Sequence, residues 1–465
     1  MKIDKNHKII SGFLIFVALL SLVFSFNRRN PPPDVILITV DALRADHLSG
    51  YGYPRKTSPN IDDFAKEGVT FLNCFATSST TVSATPGLIT GRYLMVRNIE
   101  PFWDNVLDKR FTTLAEYLKN LGYDAAAFLA NGTLRKGRGF EQGFDYFYVY
   151  HYLDARELNI EVSRLLNKPS RNKPVFIWVH YLEPHAPYEF REEYFKNFEG
   201  DRLYKENDRI LQLKPDNVGV KDYFRRWSSR GYIQPKVFHK DRYNRNYYVA
   251  CYDTEIAYVD SCVGNLLKNI KENTIIILTA DHGESMGEHN VYFTHGENIY
   301  DELLHIPLII KDNRYFKGGK VISRAVSGVD IVPTILSRIN PIWYFLNTNK
   351  FNGIDLKLVA QNKNVRRKYI YSYYSRAWSI RDINKNIKYI LNKNKNGREE
   401  LYIFPDETKD FINDDSPEII SVKNDLRQNL KLWRKAYPIF SDINTKKVTL
   451  DEETRKYLRS LGYLQ

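Results

Sequence analysis

The chain has 465 residues, of which 43% are hydrophobic, enough for the core of one large α/β domain and a smaller second one. Its net charge of +13 favours anionic surfaces or substrates. No dense Lys/Arg block concentrates this charge on one segment, so nucleic acid is excluded as an expected partner. The three cysteines match no metal or redox spacing, and we expect buried free thiols at Cys74, Cys251 and Cys262.

An apolar run extends from Ile9 to Phe26 behind three lysines. At about 1.5 Å per residue, a helix of this length nearly crosses a hydrocarbon core of about 30 Å. The following "SFNRRNPPP" offers no small-residue cleavage site. We therefore expect residues 1–30 to be an uncleaved signal anchor. This predicts a single-pass cell-membrane protein whose main domain is extracytoplasmic, and the alternative is a cleaved signal peptide and a secreted protein.

The main domain is expected over residues 31–340 and begins with a run that ends in Asp41. Apolar, β-branched runs of this kind are typical of strands buried on both faces of a parallel sheet. Five such runs occur, namely "DVILITVD", "DAAAFLA" near 124, "VFIWVHY" from Val175, "TIIILTAD" from Thr274 and "IPLII" from Ile306.

Helical patterns separate these runs. One is predicted from Ser58 and Pro59, as N-cap and first helical residue, to Gly68, and another from Tyr252 to about Ile270. The alternation predicts an α/β fold with a doubly wound, mostly parallel sheet.

Two further regions differ in composition. Residues 191–246 are rich in Arg, Lys, Tyr and Asp and follow a strand as a long insertion, which is either a lid over the site or a surface excursion. From 341 to 465 the apolar runs shorten, and Asn, Lys and Tyr become dense. We expect a smaller C-terminal α+β subdomain there, with an antiparallel sheet and a closing helix.

Acidic residues end two of the predicted strands. Asp41 follows "VILITV", and Asp281 with His282 follows "TIIILTA". One acid at a strand end is usually a helix cap, but ligands bind beyond the carboxyl ends of strands in open α/β sheets. Two carboxylates and an imidazole at one edge repel each other unless a cation binds them. The pattern therefore indicates a metal site.

Histidines occur at further junctions between strands and loops. His180 and His185 lie in "HYLEPHAPY", and His295 precedes a glycine in "YFTHGEN". A lone loop histidine is usually a surface residue, but several beside the Asp-His pair indicate a site. His289 and His305 have weaker support and are interpreted as structural.

The stretch "TTVSATPGLITGRY" from Thr80 contains five hydroxyls within eleven residues. A helix start offers free N–H groups and the positive end of the helix dipole to an oxyanion. The residues alone leave open whether one hydroxyl is a nucleophile or whether this is a polar helix start.

Nine segments, in family order from about residue 34 to the end, resemble the sulfatase family of the alkaline phosphatase superfamily. They are "ILITVDALRADHLSGYG", "TSPNIDDFAKEGVTF", "LITGRY", "HYLEPHAPY", "YDTEIAYVD", "LTADHGESMGEH", "THGENIYDELLHIPLII", "VDIVPTIL" and "LRSLGYL". Each is weak alone, but together they are specific. The resemblance implies the fold of that superfamily and a metal-dependent ester hydrolase.

The resemblance also implies roles for individual residues. The family's nucleophile lies ten residues before the glycine of the "LITG"-like helix end, which is Thr81 here, with Thr80 or Ser83 as the alternative registers. Asp41, Thr81, Asp281 and His282 match the metal ligands. His295 matches a residue near the leaving group that acts as general acid, and His185 matches a substrate-contacting histidine.

The sequence departs from most sulfatases at the nucleophile. The C/S-x-P-x-R element is absent, so we expect no formylglycine, and Ala42 replaces the second acid of the Asp-Asp pair. "FLANGTLR" replaces a lysine-tryptophan-histidine element and leaves Asn131 as the expected substrate-binding residue. The remaining set resembles the single-metal site of lipoteichoic acid synthase-like phosphotransferases.

These features predict one divalent metal, with Mn²⁺ or Zn²⁺ favoured and Mg²⁺ or Ca²⁺ possible. The predicted enzyme cleaves an anionic phosphate or sulfate ester through a covalent Thr81 intermediate, with a phosphoester favoured. One alternative is phosphoryl transfer to a lipid or glycan alcohol. Another is a catalytically silent binding protein. The natural substrate and the oligomeric state stay open.

Overall fold

The computed structural model describes most of the chain between residues 31 and 436. The described ranges are 31–94, 106–151, 153–168, 172–205, 208–213, 232–233, 237–239, 241–296, 298–316, 318–363, 365, 367–393, 397–436, 452–453 and 455–456. The strands are β1 Asp34–Val40, β2 Val69–Phe75, β3 Asp124–Leu129, β4 Tyr146–Val149, β5 Val175–Tyr181, β6 Gln212–Leu213, β7 Tyr232–Ile233, β8 Thr274–Ala280, β9 Ser285–Met286, β10 Tyr292–Thr294, β11 His305–Lys311, β12 Lys320–Ile322, β13 Val326–Ser327, β14 Tyr369–Tyr374, β15 Ala377–Asp382, β16 Ile387–Asn392 and β17 Arg398–Ile403.

The α-helices pack around these strands. They are α1 Pro59–Glu67, α2 Thr81–Thr90, α3 Leu114–Asn120, α4 Ala155–Leu166, α5 Glu192–Phe195, α6 Arg202–Lys205, α7 Arg245–Leu267, α8 Asp301–Leu304, α9 Ile331–Ile339, α10 Pro341–Leu346, α11 Leu356–Ala360 and α12 Pro417–Ala436.

The central sheet is mixed and mostly parallel, as predicted. Its order is β12-β2-β11-β8-β1-β5-β3-β4, and β13 also pairs with β2. Strand β11 is antiparallel to both of its neighbours, whereas the other described pairings in this sheet are parallel. Each of the five apolar runs singled out in the sequence forms one of its strands. The continuous apolar character of β1, β5 and β8 reflects burial on both faces.

The register of the central strands brings their carboxyl ends together. Val40 at the end of β1 aligns with Ala280 on β8 and with Tyr181 on β5. The residues that follow β1 and β8, Asp41 and Asp281, therefore lie side by side at one edge of the sheet.

Two predicted helices form with small differences in their bounds. Helix α1 begins at Pro59 and has Gly68 as its C-terminal cap, as expected. Helix α7 begins at Arg245, ahead of the predicted start. The part of the insertion that the structure describes includes α5 and α6, which pack against α7. Residues 214–231, at the centre of the insertion, lie outside the described residues. The lid role of residues 191–246 therefore stays a prediction.

The C-terminal region contains the expected antiparallel sheet and closing helix. Strands β14 to β17 pair in sequence order, and α12 covers them through Val422, Leu426 and Leu430. Helices α9 and α11 still belong to the main core, through residues such as Leu336 and Leu356. The domain boundary near residue 340 therefore stays a prediction.

The predicted membrane anchor finds no support in the structure and is corrected. Within the described ranges, no helix combines the length and the apolar composition that a bilayer crossing requires. The longest of these helices, α7, carries acidic side chains such as Asp253 and Asp260, and its apolar side chains pack inside the protein. The run from Ile9 to Phe26 lies outside the described residues, so the membrane partner and single-pass location have no structural basis.

Candidate active site

Asp41 lies at the centre of the edge formed by the strand ends, and it is fully buried. Its Oδ2 accepts a hydrogen bond of 2.5 Å from Nδ2 of Asn131, which follows β3. Nε2 of His180, near the end of β5, lies 3.3 Å from the same oxygen. Burial of a carboxylate beside two polar side chains is typical of a ligand-binding site rather than of core packing.

Thr81 lies in the first turn of α2. Thr80 is extended and acts as the N-cap, and its carbonyl accepts hydrogen bonds from the N–H groups of Ser83 and Ala84. Gly91 ends the helix in the left-handed conformation, with φ of 69°. All ten residues of the helix are buried, so the Thr81 hydroxyl is presented in a protected site.

The Thr81 hydroxyl faces the acids at the sheet edge. Its Oγ1 lies 3.4 Å from each carboxylate oxygen of Asp41 and 3.2 Å from Nε2 of His282. Four residues that the sequence singled out as metal ligands are thereby brought together. Ligand atoms of Asp41, Asp281 and His282 all lie within 4.8 Å of one another.

This donor set fits a divalent cation. Oδ1 of Asp281 accepts hydrogen bonds from the N–H groups of Ala42 and His282, at 3.3 and 2.9 Å. Oδ2 of Asp281 is buried and has no hydrogen-bond partner among the described residues. Nε2 of His282 lies 3.5 Å from this oxygen, and a buried carboxylate oxygen that accepts no hydrogen bond is costly unless a cation lies beside it. Nδ1 of His282 lies 2.8 Å from the carbonyl of Gly283, which leaves Nε2 for the metal.

The electrostatics of the cluster are consistent with a cation site. Burial and the charge of Asp41 raise the pKa of Asp281. Burial also opposes ionisation of Asp41, but His185, His180 and His282 outweigh it and hold the pKa of Asp41 well below its usual range. Burial lowers the pKa of His282, but the negative charges of Asp281 and Asp41 raise it by more, so that the net shift of this pKa is upward. Opposed shifts of this kind are typical of functional sites.

The structure also brings the predicted His295 and His185 to this cluster. The His295 ring lies 4.4 Å from that of His282 and 4.8 Å from that of His185, measured between ring centroids. Nδ1 of His295 lies 3.2 Å from Oε1 of the buried Glu284. The rings of His282, His295 and His185 thus follow one another, and His282 is the one that adjoins the Thr81 hydroxyl.

Two residues of the site were not singled out as site residues from the sequence. His180 was considered only together with His185, yet it is buried inside β5 and touches Asp41. A histidine within an otherwise apolar strand requires a polar partner, and that signal could have identified it. Glu284 lies three residues after Asp281, and no sequence pattern pairs it with His295.

Asn131 has a different environment from the one expected. Besides its bond to Asp41, its Oδ1 accepts hydrogen bonds from the N–H and Oγ1 of Thr133, at 2.8 and 2.7 Å. Both ends of the amide are therefore engaged inside the protein. Its predicted substrate contact stays a prediction.

A second cluster of possible ligands, His289, Glu302 and Glu407, lies outside this site. Both carboxylate oxygens of Glu407 already accept hydrogen bonds, from Nζ of Lys388 at 2.8 Å and from the N–H of Asp301 at 2.5 Å. Nδ1 of His289 lies 3.1 Å from Glu302. We interpret this cluster as a buried ion-pair network that joins α8 and the loop between β9 and β10 to the C-terminal sheet.

Comparison with known proteins identifies the family. Residues 33–340 match the profile of the family described as Sulfatase. The chain belongs to the sulfatase family. The uncharacterized sulfatase YidJ of Escherichia coli (strain K12) is 24% identical over 349 residues, which cover 66% of this chain and 67% of that protein. The multifunctional alkaline phosphatase superfamily protein PehA of Trinickia caryophylli is 26% identical over 389 residues, covering 65% of this chain and 73% of that protein.

Solved structures share the fold of this sulfatase-family protein. The phosphonate monoester hydrolase of Agrobacterium radiobacter superposes with a TM-score of 0.65 at 20% identity, over 87% of this chain and 96% of that one. Family membership makes the protein an ester hydrolase of the sulfatase family. Sulfatase-family enzymes bind a divalent metal, and the Asp41 cluster is a possible site for it.

Proposed function

We propose that this protein hydrolyses an anionic phosphate or sulfate ester through a covalent intermediate on Thr81, with phosphoesters preferred. The observation that carries the proposal is the position of the Thr81 hydroxyl, at a helix N-terminus and within 3.4 Å of Asp41 and His282. In this arrangement the nucleophile, the helix N-terminus that binds the anion and the acidic cluster at the sheet edge all act on the same ester group.

The donor set favours Mn²⁺ or Zn²⁺ over Ca²⁺. The ion would be held by Asp41, Asp281, His282 and Thr81. Calcium prefers six to eight oxygen ligands, whereas this set includes an imidazole and has Ala42 at the position of a further acid. When bound, such an ion supplies Lewis acidity that lowers the pKa of the Thr81 hydroxyl and neutralises charge on the ester.

The side chains around Thr81 divide the remaining roles. The Thr81 hydroxyl gives up its proton to solvent, its oxygen attacks phosphorus or sulfur in line, and the bond to the leaving-group oxygen breaks. His295, held by Glu284, donates a proton to that oxygen. His185 stabilises the charge on the ester group. Attack of water on the threonine ester then breaks the bond between the Thr81 oxygen and phosphorus or sulfur. This releases inorganic phosphate or sulfate from a monoester, or a phosphomonoester from a phosphodiester, and regenerates the hydroxyl.

The preference for phosphoesters follows from the chemistry of threonine. Formylglycine has a second hydroxyl that expels sulfate as an aldehyde forms, and Thr81 has no such route. Its ester must be cleaved by direct attack at phosphorus or sulfur. If an alcohol replaces water as the acceptor, the same residues catalyse transfer of the phosphoryl or sulfuryl group. Analysis of the products formed with added glycerol distinguishes this transfer from hydrolysis.

The test compares 4-nitrophenyl phosphodiester, phosphomonoester and sulfate as substrates of the metal-loaded protein. Turnover of a phosphoester, with mass spectrometry of the acid-quenched protein showing a phosphoryl group on Thr81, is the expected result. Much faster turnover of the sulfate contradicts the substrate preference. A covalent group on Thr80 or Ser83 contradicts the assignment of the nucleophile. Absence of all turnover supports the silent binding protein.

A further inference from the structure

Phe293 has an unusual backbone conformation two residues before His295. It is the middle residue of β10, and its φ is +53°, in the left-handed region. A bulky residue is strained there, because its Cβ atom approaches the following carbonyl oxygen, and the surrounding structure must hold it in place. The Phe293 side chain is fully buried, so this conformation belongs to the packed interior and not to a surface turn.

The strand pairing shows that Phe293 is the extra residue of a β-bulge. On β10, Tyr292 and Thr294 both pair with β9. Their partners, Met286 and Ser285, are adjacent residues, so no residue of β9 lies opposite Phe293. A bulge bends its strand and changes the direction of the side chains beside it, and bulges are frequent next to active sites. The chain that leaves β10 therefore takes its direction from this bulge.

Two tyrosine rings from other segments pack against Phe293. The ring of Tyr248, on α7, lies 4.9 Å from the Phe293 ring, measured between centroids. The ring of Tyr188, in the loop after β5, lies 6.2 Å from it and is nearly perpendicular to it. Both tyrosines are buried, and aromatic pairs at these separations are stabilising beyond the area that they bury. This packing compensates for the strain of the backbone.

The same histidine fixes both tyrosines. The N–H of His239 donates a hydrogen bond of 3.1 Å to the hydroxyl of Tyr248. Nε2 of its ring lies 3.0 Å from the carbonyl oxygen of Tyr188. Tyr188 follows His185 by three residues, so the contact with Phe293 also connects the segments that carry His185 and His295. The two tyrosines thus form one support for the strained residue.

We infer that Phe293 is a positioning residue whose left-handed backbone, held by Tyr188 and Tyr248, directs His295 toward the leaving group. The inference rests on the proposed function, because that function makes His295 the general acid. A general acid must lie within hydrogen-bond reach of the oxygen that it protonates. A change of φ at residue 293 rotates the chain that follows and moves the His295 ring away from that position.

The experiment compares Phe293→Ala with Phe293→Gly, which both remove the ring. Glycine adopts a φ of +53° without strain, whereas alanine does not. The substrates are a 4-nitrophenyl ester and an alkyl ester that share the anionic group, because the alkyl leaving group depends far more on a general acid. Phe176→Ala is the matched control. Phe176 is also buried, and it aligns with Val35 at the end of the sheet opposite to Asp41.

Phe293→Ala is expected to lower kcat for the alkyl ester about 10- to 100-fold more than kcat for the 4-nitrophenyl ester, because a small displacement of a catalytic group costs up to about 10² in rate. Phe293→Gly is expected to keep the wild-type ratio of the two kcat values, and so is Phe176→Ala. If the ratio changes no more in Phe293→Ala than in Phe293→Gly or Phe176→Ala, the inference is overturned, while turnover by the wild type still supports the proposed function.

Crystal structures of the two variants test the inference without turnover, and therefore separately from the proposed function. In Phe293→Gly, residue 293 is expected to keep its φ near +53°, and the ring of His295 to stay 4.4 Å from that of His282. In Phe293→Ala, φ is expected to become negative and this distance to increase. An undisplaced His295 ring in Phe293→Ala overturns the inference. If the alanine variant does not fold, Phe293→Leu, which keeps apolar bulk, replaces it in both measurements.

Discussion

The hydroxyl of Thr81 lies 3.2 Å from Nε2 of His282, although the two residues are 201 positions apart in the chain. One belongs to the first turn of α2, and the other follows the buried strand β8. This contact places a hydroxyl at a helix N-terminus beside the Asp-His pair at the sheet edge. The roles proposed for this site depend on that contact.

Thr81→Ala is expected to reduce turnover by several orders of magnitude, on the order of 10³ or more, because the nucleophile is lost. Thr81→Ser keeps a hydroxyl and is expected to retain part of the activity. Ser83→Ala, two residues further along the same buried helix, is the control and is expected to stay active. Steady-state kinetics of the three variants decide the matter. Normal turnover by Thr81→Ala together with an inactive Ser83→Ala contradicts the assignment.

Asp281→Asn is expected to abolish stoichiometric metal binding, since it removes the charge of the buried carboxylate whose Oδ2 accepts no hydrogen bond among the described residues. Elemental analysis of gently purified protein measures this directly. The wild type is expected to contain one Mn²⁺ or Zn²⁺, and chelation is expected to stop turnover until either ion is returned. Glu302→Gln, in the second cluster, is the control and should leave the metal content unchanged. Stoichiometric calcium without a transition metal refutes the metal assignment.

Glu284→Gln is expected to slow the cleavage of esters with poor leaving groups, because Glu284 holds His295 for proton donation. General acid catalysis contributes about 10²- to 10⁴-fold, and part of that factor should be lost for alkyl esters. A 4-nitrophenolate leaving group needs little protonation, so its ester serves as the internal control. The measurement is the slope of log kcat against leaving-group pKa. A slope equal to that of the wild type is evidence against this role.

Gly296→Ala is expected to lower both stability and turnover. The residue has φ of +77°, which costs an alanine about 1–2 kcal/mol, and its new Cβ clashes with Thr80 beside the nucleophile. Gly397 has φ of +76° and nothing within 4 Å of a built Cβ. Gly397→Ala therefore carries the same backbone cost without the clash. Thermal unfolding and kinetics should show that only Gly296→Ala loses activity. Equal effects of the two variants mean that the contact with Thr80 is unimportant.

Glu183→Gln is expected to change the pH dependence of stability. Burial raises the pKa of Glu183 from 4.5 to about 7, against the opposing effect of Arg191. The stabilising contribution of this group is therefore complete below pH 4.5 and is lost as the pH rises through 7. Glutamine cannot ionise, so the variant should gain up to about 3 kcal/mol relative to the wild type across this window.

Denaturant unfolding between pH 4.5 and 8 measures this difference. Glu189 lies 3.0 Å from the same Arg191 but is exposed, and Glu189→Gln should follow the wild-type curve. A constant offset between Glu183→Gln and the wild type at every pH shows that Glu183 does not titrate in this range.

Much of the fold could be predicted because its signals are local. Continuous apolar runs identify β1, β5 and β8, since burial on both faces leaves no place for alternating polar residues. The positions of Asp41 and Asp281 follow from the same runs, because parallel strands end at one edge of their sheet. The order of the short motifs, from the strand before Asp41 onwards, was enough to recognise the family that the comparisons then showed.

Contacts between distant segments were decided only by the tertiary structure. Successive residues of a helix point about 100° apart, so only the packing of α2 against the sheet edge turns Thr81, rather than Ser83, toward Asp41. Tertiary packing also decides that Asn131 bonds to Asp41 and that Glu284 pairs with His295. The Asn131 side chain bonds to Thr133 as well. The local apolar run from Ile9 to Phe26 suggested a membrane anchor, which the described helices do not support. The hydrophobic pattern of a strand or helix depends on residues that are close in the sequence, so it can be recognised there. A site assembled from the ends of several strands exists only once the sheet has formed.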